Sequence, residues 1–299
     1  VRELALLDHI AARSRGLAAG PGWDVVVGPG DDCAVLAGPG GALLLVTVDQ
    51  LVAGRHFDAD TELDLVARKA VARSVSDVAA MGGRPAWALG TGVLPAGYDQ
   101  GDALFDAMAK WANRWGCPLV GGDIAAHGSA EHPLALTVTV AGTIPEGHRP
   151  VLRSGARDGD RLWLTGPVGG SLASGRHLRF EPRLEAGLAA SRNGSGVTAM
   201  IDLSDGLGLD ADRVARASGV VIEIDAAAVP LHDGVDGWRA GVGGGEDHEL
   251  LIAAPERPAI DGLLGPVGRV RSRAEGEEAM AMVVDAGERH PARGLGWEH

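Results

Sequence analysis

Six times in this chain an acid follows at once on an apolar strand or a glycine turn. The places are Gly30-Asp31-Asp32, Thr47-Val48-Asp49, Ser76-Asp77, Gly121-Gly122-Asp123, Asp202-Leu203-Ser204-Asp205 and Gly244-Gly245-Glu246-Asp247. Carboxylates at strand ends collect on one rim of a sheet, where open α/β sheets bind ligands. Several carboxylates do not stay ionised side by side without a compensating cation. Hard oxygen donors suit Mg²⁺, which usually shares its coordination shell with phosphate and water. The neighbouring glycines let the backbone approach a phosphate closely. Taken singly, each Gly-Asp reads as a turn or a helix cap. Turns alone do not require acids at every strand end, so the set points to one cation and phosphate site.

The rest of the composition narrows the partners. The 299 residues carry 27 Lys+Arg against 40 Asp+Glu, a net charge of −13, and Lys69 and Lys110 are the only lysines. A chain this acidic repels nucleic acid and anionic lipid, so neither is expected as a partner. Its length corresponds to two domains at about 100–200 residues each. Cys33 and Cys117 are too few for a disulfide framework and have no CxxC spacing, which favours a reducing, cytoplasmic setting. No apolar run approaches the ~20 residues of a membrane helix; the longest lie around Leu43–Val46 and Leu134–Ile144. Residues 3–19 read as a broken amphipathic helix with Asp8 and Arg13 inside it, unlike a signal peptide.

Strands and helices alternate through both halves, which gives a mixed α/β class. Strands are expected at Val25–Val27, Leu43–Val48, Ala86–Leu94 and Leu134–Ile144. A capping box of Thr61 and Asp64 opens a helix that runs to Met81 and stops at Gly82-Gly83. A second helix spans Asp99–Trp115, and Leu119-Val120 leads into a Gly121-Gly122-Asp123 turn. Pro145–Pro150 is the best linker, which divides the chain into residues 1–147 and 148–299. The second part reads as strands Arg161–Thr165, Ala199–Leu203, Val220–Ile224 and Glu249–Ala253. Its helices are placed near 168–176, 181–192 and 208–217. Standard nucleotide signatures are missing: there is no GxxxxGK[ST], no kinase HRD or DFG set, and Gly28-Pro29-Gly30 lacks a third glycine. A nucleotide would have to be held through metals, arginines and backbone amides.

The acidic motifs, with their neighbours, resemble one family in order. Gly30-Asp31-Asp32-Cys33-Ala34, the run Asp49 to Phe57, Ser76-Asp77-Val78-Ala79-Ala80-Met81-Gly82 and Gly121-Gly122-Asp123 are similar to the motifs of thiamine-monophosphate kinases. So are Arg153-Ser154-Gly155-Ala156, Ile201 to Leu207 and Gly244 to Leu250. The wider superfamily includes aminoimidazole-ribonucleotide synthase, selenophosphate synthetase and the hydrogenase-maturation dehydratase. The resemblance implies ATP-dependent phosphoryl transfer onto thiamine monophosphate, giving thiamine diphosphate. It also implies a homodimer whose N-terminal mixed sheets, each backed by helices, join into a barrel. The C-terminal α/β domain completes the cleft. By position, Asp32, Thr47, Asp49, Asp77, Asp123, Asp202 and Asp205 match ligands of several Mg²⁺ ions. Asp49, Asp77, Asp123 and Asp205 form the catalytic set. Gly122, Asp123, Arg153 and Ser204 match nucleotide contacts, and His56, Glu246 and Trp297 match contacts to the acceptor.

The implied chemistry is coherent. A phosphate monoester has a second pKa of about 6, so the nucleophile is already anionic and no strong base is needed. The difficulty is aligning two anions, which bridging Mg²⁺ ions overcome. A Trp face can stack on the pyrimidine or attract the thiazolium. The sequence also departs from the family pattern: Val48 stands for a hydroxyl residue, Ile124 and Ala125 follow Gly-Gly-Asp, Ser74 stands for Asn, and an Arg-Pro-x-Pro-Arg turn is reduced to Phe180-Glu181-Pro182-Arg183. These departures leave open a superfamily member with another acceptor, or a non-catalytic protein that binds nucleotide or thiamine phosphate. Residues 1–30 lack the cysteine a selenophosphate synthetase would need. Lys69 reads as a solvated helix residue without a role, Cys33 as a small buried residue, and His127 and His132 lack a third zinc ligand.

Overall fold

The computed structural model describes residues 6, 9, 10, 12–14 and 16–297. Of the helix expected over 3–19, positions 3–5, 7, 8, 11 and 15 lie outside the described residues; Leu6, His9, Ile10, Ala12 and Arg13 are helical, and 17–19 are not. Two sheets organise the rest. The first runs β1 (Asp24–Val27), β2 (Ala34–Ala37), β3 (Leu43–Val52), β6 (Ala135–Thr143), β4 (Arg84–Leu94) and β5 (Leu119–Ala126). Its pairings are antiparallel except β4 with β5, which are parallel and joined through helix α2 (Gly101–Arg114). A parallel pair needs such a crossover, because a hairpin cannot return the chain in the same direction.

Helix α1 (Leu63–Ala80) lies on the inner face of this sheet and packs against α2. It also packs against α3 (Leu184–Ser191), which arrives from the second half of the chain. It is covered on nearly every side, which explains its run of Ala and Val rather than a single apolar stripe. Gly187 of α3 lies so close to α1 that a Cβ there would overlap the Ala79 carbonyl oxygen. The expected capping box is not used: Glu62 precedes the helix without a side-chain cap, and Asp64 instead accepts from Lys110 Nζ at 2.6 Å and Trp111 Nε1 at 3.2 Å.

The second sheet has the order β13 (Glu288–Pro291), β12 (Met280–Asp285), β9 (Val221–Asp225), β11 (Leu264–Arg271), β7 (Arg161–Leu164), β10 (Leu250–Ala254) and β8 (Ala199–Asp202). Helix α4 (Leu207–Ser218) covers one face, burying Ile201, Leu207, Val214, Ile222 and Val283. The other face buries Trp163, Met200 and Ile252 against Ala80 of α1 and Ala190 of α3. The two halves are therefore joined through a packed apolar seam beside the acidic motifs. A short helix, α5 (Gly237–Gly243), precedes the Gly244–Glu249 loop.

Three local expectations are corrected. Strand β3 does not end at Asp49 but continues to Val52, with Asp49 paired to Val138 of β6. Gly121-Gly122-Asp123 is not a turn but the middle of β5. The glycine at 122 is required by packing: a Cβ there would overlap the Gly90 carbonyl oxygen on the neighbouring strand. The helix expected near 168–176 is reduced to one turn at Ser171–Ser174 and a 3₁₀ turn at Arg176–Leu178.

Candidate active site

The acids from both halves meet where α1, β3, the β1–β2 loop and the C-terminal end of β8 come together. Asp32, Asp77 and Asp202 each offer a carboxylate oxygen, and these oxygens all lie within 4.8 Å of one another. Asp32 and Asp202 are buried. Thr47 Oγ1, from β3, donates to Asp77 Oδ2. Ser76 Oγ donates to Asp202 Oδ2 at 2.7 Å, and Ser74 Oγ donates to Asp49 Oδ2 at 3.1 Å. The helical spacing of Ser74, Ser76 and Asp77 lets one turn of α1 address β3, β8 and the cluster itself.

The electrostatics show a site short of positive charge. Burial, then the charges of Asp49, Asp202 and Asp32, push the Asp77 carboxyl well above its ordinary value. Burial raises Asp32 to about 8 even though Arg153 Nη2 lies 2.5 Å from its Oδ1, and Asp202 and Asp31 add to the rise. Asp32 Oδ2 is buried and has no hydrogen-bond partner among the described residues. Clustered oxygen donors with an unsatisfied buried lone pair fit a hard divalent cation. Burial raises Asp202 too, but hydrogen bonds from His248 and Ser76 outweigh it and hold the carboxyl below its ordinary value.

Other expected residues adjoin this cluster. Asp49 stands beside Arg73, whose Nη2 is 3.6 Å from Asp49 Oδ1. Asp205 opens the turn into α4 and pairs with Arg213 at 2.5 Å. Buried Asp210 accepts from the Asp205 backbone N–H at 3.0 Å. Arg153 also donates its backbone N–H to Asp31 Oδ2 at 3.0 Å, so the expected phosphate arginine is engaged by the β1–β2 loop. Ser204 is half-buried in the 202–206 loop, and its carbonyl accepts from Glu246 N at 2.7 Å.

Asp123 stands apart. It is exposed on β5, abreast of Thr91, which in turn faces Thr137 and Gln50 across the ladder. Directly opposed residues share a sheet face, and this is the face away from Thr47 and Asp49. Val48 is on that same outer face, 61% exposed, so the residue standing where the family has a hydroxyl does not border the acid cluster. Gly122 is exposed next to Asp123.

The residues expected to meet the acceptor gather about the Gly244–Glu249 loop. Glu246 and His248 adopt left-handed backbone conformations, φ 65° and 52°, which side chains other than glycine seldom take. Strain of this kind persists only when the surroundings fix it. Here the loop is held by Glu246 N to Ser204 O and by His248 N to Leu203 O at 2.8 Å. His248 is buried between two acids, with Nδ1 3.2 Å from Asp202 Oδ2 and Nε2 3.2 Å from Glu246 Oε2. Burial opposes its charge, but these two partners raise it to about 9, an imidazolium at neutral pH. Phe180 stacks on its ring at 3.9 Å, and Arg183 forms an ion pair with Glu249, so the shortened Phe180–Arg183 turn still braces the loop. His56 Nδ1 accepts from Val52 N at 2.9 Å. Trp297 is exposed, anchored by its N–H to Asp205 O at 2.9 Å, with the Arg55 guanidinium 4.9 Å over its ring.

Sequence reasoning missed Lys69, Arg73, His177 and His248. Lys69 is not solvated: it is fully buried and lies 3.0 Å from Glu246 Oε2. The available signal was its place between Ala67 and Ala70-Val71-Ala72, a stretch too apolar for a solvated face.

The chain is similar to several known proteins. The family profile AIR synthase related protein, N-terminal domain, matches residues 30–144. A thiamine-monophosphate kinase of Salmonella typhimurium is 37% identical over 275 residues, covering 82% of each chain. That of Mycobacterium tuberculosis is 36% identical over 310 residues, covering 92% of this chain and 88% of its own. The chain belongs to the thiamine-monophosphate kinase family. The solved structure AaThiL complexed with AMPPCP and TMP superposes with a TM-score of 0.81 at 28% identity, covering 99% of this chain and 96% of its own. The hydrogenase maturation protein HypE in complex with ATP shares the fold at a TM-score of 0.67 and 19% identity, covering 86% of this chain and 85% of its own.

Proposed function

We propose that this protein transfers the γ-phosphoryl group of ATP to the phosphate of thiamine monophosphate, giving thiamine diphosphate and ADP. The convergence of Asp32, Asp77 and Asp202 from three distant segments carries the reading. Family membership and the likeness to a kinase solved with AMPPCP and TMP support it.

Asp32, Asp77 and Asp202, with Thr47, Asp49 and Asp205 beside them, would hold Mg²⁺ ions. Asp123, on the outer face of β5, stands apart from these groups. When bound, the ions would supply the positive charge that offsets the two anionic reactants during transfer. The protein's own groups position the reactants. Arg153 and Ser204, beside the cluster, would contact the nucleotide, with Gly122 and Asp123 the proposed contacts from β5. Glu246, ionised beside Lys69 and His248, and the Trp297 ring suit the cationic thiazolium, with His56 beside them. The acceptor oxygen attacks the γ-phosphorus as its bond to the β–γ bridging oxygen breaks, and ADP leaves. No side chain has to take a proton, because the acceptor is already an anion. Catalytic roles for Asp49, Asp77 and Asp205 would be electrostatic in this scheme.

The outer face of the first sheet has no helix over it among the described residues. It exposes Val48 on β3 and Asp123 on β5. A second copy of the chain would cover it and join the sheets into a barrel. A division at residues 147 and 148 is proposed on the ground that it would leave one sheet in each part, with strands within 24–143 and 161–291. The buried free thiols Cys33 and Cys117 suit a cytoplasmic setting, and no described helix is long and apolar enough to cross a membrane.

A coupled assay for ADP release, with thiamine diphosphate measured directly, tests the function. Turnover that requires thiamine monophosphate and a divalent cation is expected. Tight ATP binding without acceptor-dependent turnover would overturn it. Light scattering tests the dimer: a monomer at micromolar concentration would exclude the barrel.

A further inference from the structure

Lys69 carries no role in the family assignment made above, yet its surroundings are specific. Its amine is fully buried in α1 and meets three partners: the His56 carbonyl oxygen at 2.8 Å, His177 Nδ1 at 2.8 Å and Glu246 Oε2 at 3.0 Å. An ammonium has three N–H donors and no acceptor, so all three are used and the His177 nitrogen must accept. The partners come from the loop after β3, from the 3₁₀ turn at 176–178 and from the strained Gly244–Glu249 loop. Two of them are the residues assigned to the acceptor, one from each half of the chain.

We propose that Lys69 is a positioning residue that sets the acceptor subsite, fixing the His56 loop and the Glu246 carboxylate relative to one another across the seam between the two halves. The inference rests on the assignment of His56 and Glu246 to the acceptor. Three features of the site support it. Burying a lysine is costly unless its charge is paired and its donors are bonded, and here both conditions hold. Glu246 sits in a left-handed backbone conformation that its own loop does not favour, so an outside partner is needed to aim its carboxylate. The same carboxylate oxygen also meets His248, which reaches Asp202 of the acid cluster. The Lys69–Glu246–His248–Asp202 chain thus ties the acceptor side to the cation side. An arginine keeps the charge but spreads its donors over a flat fork, which does not match three partners arranged around one nitrogen.

The test is steady-state kinetics of Lys69→Met, Lys69→Arg and Glu246→Gln in the full-length protein, with ATP and thiamine monophosphate varied separately. Lys69→Met and Lys69→Arg are each expected to raise the KM for thiamine monophosphate at least tenfold and to leave the KM for ATP within twofold. Glu246→Gln should raise the same acceptor KM. If Glu246→Gln leaves the acceptor KM unchanged, the acceptor assignment fails, and the inference with it. If Glu246→Gln raises it while the Lys69 variants do not, only the Lys69 inference fails. Equal rises in both KM values would show that the lysine merely holds the halves together, and would overturn it too. Should Lys69→Met not fold, Lys69→Arg decides: wild-type constants overturn the proposal, and a selective acceptor defect sustains it.

Discussion

Ser76 Oγ donates a 2.7 Å hydrogen bond to Asp202 Oδ2, joining α1 to the end of β8 across 126 positions of sequence. Both residues are buried, and the adjacent Asp77 contributes to the same cluster. The bond therefore aims a carboxylate of one half of the chain at the carboxylates of the other. A buried hydrogen bond to a charged group contributes about 1.5–3 kcal/mol. Ser76→Ala should lower stability by about 2 kcal/mol and reduce kcat roughly tenfold, the effect of losing about 1.4 kcal/mol of transition-state stabilisation. Urea denaturation and turnover at saturating substrates check it. Wild-type kcat in a destabilised variant would show that Asp202 is aimed by His248 alone.

Asp77 gives a sharper test of the cation site. Burial and the neighbouring carboxylates raise its pKa, so an ionised Asp77 opposes folding when no cation is bound. For a raised carboxyl the penalty is absent at low pH and grows as pH rises through the folded-state value. Asp77→Asn removes the charge and keeps an oxygen that can accept from Thr47. With chelator at pH 8, the variant should melt above the wild type. Added Mg²⁺ should raise the wild-type midpoint and leave the variant nearly unmoved, and kcat should fall at least a hundredfold. Equal Mg²⁺ stabilisation of the two proteins would place the cation elsewhere.

Asp202 was legible because it closes an apolar strand; Asp49, Asp77 and Asp123 were found by the same local pattern of an acid after apolar residues or glycine, although they lie within β3, α1 and β5. Strands β3, β4 and β6 were legible from their runs of apolar and β-branched residues, and α2 from its apolar face. What was not legible depended on register and packing. Asp123 reads like the other motifs, but its place on the outer face follows from how β5 aligns with β4. Gly121-Gly122 looks like a turn because glycines usually make turns, whereas here one is needed for strands to approach. Thr61 and Asp64 form a capping box on paper, but Lys110 and Trp111 of α2 claim Asp64. Lys69 looked like a surface residue because lysine usually is one, and its partners lie 13, 108 and 177 positions away in sequence.

His177 links the buried lysine to pH. Burial, and then the Lys69 ammonium, lower its pKa from 6.5 to about 4. Between these values the unfolded chain binds a proton that the folded chain does not. The stability contributed by neutral His177 is therefore fully present above pH 6.5 and lost as pH falls toward 4. His177→Asn keeps a carbonyl oxygen to accept from Lys69 but does not titrate. Urea midpoints measured from pH 7.5 to 4 should fall more steeply in the wild type than in the variant. Parallel curves would mean that the imidazole titrates alike in the folded and unfolded chain.

Trp297 separates acceptor recognition from folding. Its ring is 38% exposed and carries the Arg55 guanidinium at 4.9 Å, while the backbone bond to Asp205 O does not depend on the side chain. A cation–π contact at a partly exposed ring contributes about 0.5–2 kcal/mol. Trp297→Ala should therefore shift the melting temperature little, yet raise the KM for thiamine monophosphate about tenfold, with the KM for ATP unchanged. Trp297→Phe, which keeps a weaker π face, should fall between the two. If Phe and Ala behave alike, the ring contributes shape and not charge attraction. If neither variant alters the acceptor KM, the aromatic face lies outside the acceptor subsite, and recognition of the thiazolium falls to Glu246 and His56.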